Sequence, residues 1–112
     1  MNELAHDGKL KPMARQAVEV AAKLLAGEHM AQDAGISAVY WAPAENEIRL
    51  IEVTTSVEDG RGLFPFRFTP DPPDIPFPSV VMQVGPGDYA RLSRQEIDVP
   101  DGFESVQPIA QR

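Results

Sequence analysis

The stretch from Leu63 to Pro78 constrains this chain more than any other. Phe64, Phe66 and Phe68 fall at every second position, the spacing that puts side chains on one face of a strand. Pro70, Pro72, Pro73, Pro76 and Pro78 follow. Proline donates no backbone hydrogen bond and holds φ near one value, so the strand must stop and a stiff irregular segment must begin. Pro65 marks the strand itself as an edge or as irregular. The expectation is an aromatic edge strand feeding a proline-rich loop over residues 69–79.

Ahead of it, Leu10, Met13, Ala14, Ala17, Val18, Ala21, Leu24 and Leu25 recur at intervals of three and four, the helical period. The spacing predicts an amphipathic helix from Leu10 to Ala26, with Glu19 and Lys23 as an i,i+4 pair and Gly27 as the C-terminal stop. Its alanines suit close approach to a sheet. Residues 1–8 and 105–112 are expected to be flexible.

Ile36–Trp41 and Ile48–Thr55 read as strands. The second carries Ile48 and Leu50 on one face and Ile51 and Val53 on the other, as a central strand does. Asp59-Gly60 is the residue pair of tight hairpins. Ser79–Val84 reads as a further strand and Asp88–Leu92 as a short second helix, with Asp88 as its cap. Glu96–Pro100 reads as a last short strand or an extended segment. The predicted fold is α+β in a single domain, 1–112. It has a four- to five-stranded, mainly antiparallel sheet, the long N-terminal helix on one face and the short helix near the C-terminus. One helix covers one face only, so the other calls for the proline-rich arm, the C-terminal segment or a second copy of the chain.

Charge and composition exclude several functions. Seventeen acidic and 10 basic residues give a net charge of −7, and outside the short Lys9–Arg15 cluster the chain has no basic stripe of the kind phosphate backbones require; neither nucleic acid nor an anionic membrane surface is an expected partner. No apolar run approaches the ~18 residues that cross a bilayer. The absence of cysteine removes disulfides and thiolate sites and suits a cytoplasmic location.

No serine-nucleophile elbow, phosphate loop or zinc spacing is present, and no cofactor is implied. Neither His6 nor His29 has a second histidine or a carboxylate at i+3 or i+4 on an evident helical face, the predicted helix ending before His29. Glu52 is the single candidate for chemistry, because strand alternation puts its carboxyl on the apolar face of Ile48 and Leu50, where it needs a defined partner. In its structural reading Glu52 pairs with Arg49, Arg67 or solvent. In its chemical reading Asp33 and Glu52, with His29 as a third member, hold a divalent cation in a degenerate nuclease-like hydrolase core. Thr54 stands where such cores place a lysine.

Tyr40 and Trp41 point to opposite faces of a strand, and with Pro73, Ile75 and Phe77 they are the candidates for a binding surface. The leading expectation is a small acidic accessory or regulatory protein that forms a homodimer or binds another protein without catalysis. The alternatives are the metal-dependent hydrolase and a small-molecule site lined by Trp41, Phe77 and Tyr89.

Overall fold

The computed structural model describes residues 3–60, 63, 65–68 and 77–112, with side chains for 15–60, 63, 65, 66 and 77–112. Helix α1 (Glu3–Gln32) is followed by β1 (Ile36–Trp41), β2 (Ile48–Thr54), β3 (Phe66–Phe68), β4 (Ser79–Val84), α2 (Pro86–Ser93) and β5 (Gln107–Gln111). The strands form one sheet in the order β3-β4-β2-β1-β5.

The fold is α+β as expected, but the sheet is mixed. β1 pairs antiparallel with β2 and β5, and β3 antiparallel with β4, whereas β2 and β4 run parallel, with Ile51 opposite Met82. That parallel pair rules out the hairpin expected at Asp59-Gly60, because β4 lies between β2 and β3. Gly60 does take the left-handed conformation (φ 85°) that the pair favours. The turn serves α2 instead. The Asp59 carboxyl accepts the Asp88 N–H (2.9 Å) at the start of α2, and the Asp88 carboxyl accepts the Gly60 N–H (2.9 Å). Asp88 is therefore not a cap of its own helix, whose N-cap is Gly85. This exchange across two segments satisfies the donors that a capping box satisfies within one. It also accounts for Gly85-Pro86-Gly87: a Cβ on Gly85 or Gly87 meets the Asp59 carboxyl at 2.2 or 2.5 Å.

β2 is central and buried on both faces. On one side Ile48 and Leu50 pack with Val39, Trp41 and Val81 under Val18, Ala21, Ala22 and Ala26 of α1. Ile36 joins this face despite its odd spacing from Val39, because a bulge between Ile36 and Ala38 resets the alternation. On the other side Ile51 and Val53 pack with Val80, Met82 and Val84 beneath Leu92 and Phe103, with Tyr89, Ile97, Val99 and Val106 against them. Of the covers expected for this second face, the C-terminal segment supplies one, together with α2, so no second copy is needed there. Tyr40 stacks on Tyr89 there, ring centroids 4.5 Å apart, and burial pushes the Tyr89 hydroxyl up to about 12.

Three boundaries differ from the sequence expectation. α1 already includes residues 3–8 and passes through Gly27 to Gln32. Gly27 costs the helix about 1 kcal/mol relative to alanine, and the packing of Ala26 and Met30 against the sheet offsets it. Residues 107–111 form an edge strand rather than a loose tail. The Arg112 guanidinium donates to the carbonyls of Met30, Asp33 (3.0 Å) and Ile36 (2.6 Å), satisfying acceptors at the end of α1. Of the two readings of Glu96–Pro100, the strand does not form, and the segment lies on the body through Ile97 and Val99. Residues 69–76 of the proline-rich loop, with Pro73 and Ile75, lie outside the described residues, as does Phe64.

Loss of the Asp59 cap is expected to cost about 1 kcal/mol. In urea unfolding, Asp59→Ala and Gly85→Ala should each destabilise. Gly85→Ala should cost less in the Asp59→Ala background, since the displaced carboxyl is then already gone.

Candidate functional site

Glu52 sits on the α1 face of β2, beyond Leu50, and only 1% of it is exposed. Alternation along the strand forces this placement. Its Oε2 accepts from Nδ1 of His29, which the last turns of α1 carry over the sheet, and its Oε1 accepts from Nε2 of Gln83 at 3.0 Å. Gln83 lies directly opposite on β4, because the parallel register aligns the two residues. The structural reading of Glu52 is thereby corrected: Arg49 pairs with Glu47 at 2.6 Å, and the partners of Glu52 are an imidazole and an amide.

The hydrogen bond from His29 to Glu52 holds the imidazole above its ordinary value of 6.5 against the opposing effect of partial burial, and the nearby charges of Glu52 and Glu28 act in the same direction. Buried side-chain polar atoms all have partners among the described residues.

The three side chains border a cavity of about 230 Å³, whose other lining residues are Gln32, Asp33, Ile36, Phe66 and Val81. It lies on the helix side of the sheet beneath the C-terminal turns of α1. Phe66 of edge strand β3 is 59% exposed at its border. The cavity thus has apolar walls and a polar floor whose geometry is held from three elements. By valence, His29 retains Nε2, and Gln83 retains its amide oxygen and one N–H.

Asp33 borders the same cavity, but its carboxyl is engaged elsewhere. Oδ1 accepts from the Gly35 N–H (2.8 Å), and the Thr54 and Ser56 hydroxyls donate at 3.2 Å. The Gly35 N–H first, then the two hydroxyls and the nearby Arg112 guanidinium, hold the Asp33 carboxyl below its usual range. This arrangement closes the turn between α1 and β1. Among the described residues, no group of three or more histidine, aspartate or glutamate side chains is placed to hold a metal ion.

The remaining candidates are dispersed. Trp41 is buried in the α1-side core, with Phe77 packed at its margin. Tyr40 and Tyr89 stack on the opposite side of the sheet. Trp41, Phe77 and Tyr89 therefore do not line a common site. Gln83 was missed by sequence reasoning, although it left a signal, being the only amide within the apolar run Val80–Val84. No helix among the described residues is long and apolar enough to cross a membrane. No family model matches the chain, and neither a curated protein nor a solved structure matches it.

A group whose folded pKa is raised stabilises the fold fully below its unfolded value, about 6.5 for histidine. That contribution is lost as pH rises through the folded value. The stability advantage of the wild type over His29→Gln, measured by urea unfolding, should accordingly be full below about pH 6.5 and shrink as the pH rises above it. The imidazole resonance that His29→Gln removes should titrate above 6.5, and Glu52→Gln should move it downward.

Proposed function

We propose that this chain is a small-molecule-binding domain whose site is the cavity floored by His29, Glu52 and Gln83. The observation that carries the proposal is the burial of Glu52. A carboxyl withdrawn from water costs several kcal/mol, and a well-packed apolar residue at such a position is often as stabilising or more so. Leu or Met beside Leu50 and Val81 would close the sheet at lower cost. The chain instead holds a charge-bearing group there, braces it from two other elements and leaves the assembly open to a cavity.

Size and chemistry limit the ligand. A cavity of about 150 Å³ accommodates benzene, so one of 230 Å³ scales to about nine non-hydrogen atoms. Two carboxyl groups border the space against one imidazole, which disfavours an anion. Donors and acceptors set between Ile36, Val81 and Phe66 suit a small, neutral, flat molecule with adjacent hydrogen-bonding groups, such as an amide-bearing heterocycle. The role proposed is binding: the carboxyl that could assist a metal-held reaction, that of Asp33, already serves the α1–β1 turn.

A fragment set divided between neutral amide heterocycles and matched carboxylates tests the proposal by chemical-shift perturbation and thermal shift. Neutral heterocycles should perturb Gln83 and Ile36 amides and raise the midpoint, as ligands that bind only the native state do. His29→Ala and Gln83→Leu should each weaken binding about tenfold, the loss of one hydrogen bond to a partly charged group. Mg²⁺, Mn²⁺ and Zn²⁺ should leave the midpoint where it is. A midpoint raised by a divalent cation and abolished in Glu52→Gln would favour the hydrolase reading instead.

A further inference from the structure

α1 presents a second ordered face, away from both the sheet and the cavity. At 100° per residue, Ala17, Val20, Leu24, Gly27 and Ala31 form one stripe, spaced alternately by three and four. All five are exposed, including the large side chains of Val20 (60%) and Leu24 (55%). The buried residues Val18, Ala22 and Ala26 and the half-buried Leu25 lie on the opposite side of the helix. The apolar residues that a sequence reading groups into one face thus belong to two. The outer stripe follows the a and d positions of a heptad, with Ala17, Leu24 and Ala31 at a and Val20 and Gly27 at d.

We infer that this stripe is a self-association seam, and that its occupant is α1 of a second copy of this chain, packed parallel about a twofold axis. Charge selects that occupant and its direction. On this register Lys23 holds a g position and Glu28 the e position five residues later, the two positions that face each other across a parallel pair. A twofold axis places Lys23 of each protomer beside Glu28 of its partner, twice. An antiparallel pair centred on the stripe would set like positions together, bringing Lys23 near Lys23 of the partner copy, which is repulsive, and leaving Glu28 with no lysine opposite. Lys23 also lies 3.6 Å from Glu19 of its own helix, an exposed contact that a partner carboxyl can share.

The architecture leaves room for this pairing. α1 has 30 residues and spans about 45 Å, about twice the length of a seven-residue strand. The sheet lies on the far side of each helix, so the two bodies sit outside the helix pair without meeting. Ala17, Gly27 and Ala31 allow the helix backbones close approach but bury little area, so the dimer is expected to be reversible, with a dissociation constant in the micromolar range.

Sedimentation equilibrium of the full chain tests the inference. The wild type should show a reversible monomer–dimer equilibrium. Val20→Glu combined with Leu24→Glu should be monomeric over the same concentrations with an unchanged far-UV circular dichroism spectrum, because both positions are exposed. Lys23→Glu and Glu28→Lys should each weaken association about tenfold, and the two together should restore it. A wild type that stays monomeric, or a dimer that survives the double glutamate variant, overturns the seam. Reversals that do not restore each other overturn the parallel arrangement.

Discussion

β2 runs through the middle of the sheet with apolar side chains on both faces, and the rest of the structure is arranged around that constraint. A strand of this kind loses its stabilisation unless water is removed from both sides. α1 does this on one side with a small-residue surface of Ala21, Ala22 and Ala26, which brings the helix close to the sheet. The other side is closed by elements from the last third of the chain: α2, Ile97, Val99, Phe103 and Val106. The result is a three-layer molecule in which two independent cores share one strand.

The candidate site follows from that same strand. After Ile48 and Leu50, alternation carries Glu52 onto the α1 face at the point where the helix is ending. The core there gives way to a polar floor, and each partner comes from a different element. A rigid constellation of this kind is preorganised by the fold, so its orientation is not re-established at each binding event. Its neighbour Asp33 shows how similar chemistry can be committed to structure, since its oxygens close a turn that Arg112 braces from the chain's last residue.

Much of this is visible in the residues themselves, and the limits are specific. The helical period around Val18–Leu25 and the alternation of Ile48–Thr54 mark their elements, because both depend on side chains a few residues apart. The face of Glu52 is legible for the same reason. The end of α1 is not: Gly27 carries a local stop signal, and packing contacts from Ala26 and Met30 override it. Asp59-Gly60 predicts a positive φ correctly and a hairpin wrongly, since the conformation is local whereas strand pairing is not. Leu24 and Leu25 look equivalent in a helical repeat, yet one faces solvent and the other the core.

By itself, the sequence determined the types of α1, α2 and the first four strands, the two apolar faces of β2 and the face on which the Glu52 carboxyl falls; it left β5 and the burial of Glu52 open. Only the tertiary structure decided what that carboxyl meets. His29 lies 23 residues from Glu52 along the chain and Gln83 lies 31 residues away, so their meeting depends on strand order, on a parallel register and on how far α1 extends. Periodicity records which way a side chain points. The partner it finds there is set by the packing of the whole chain.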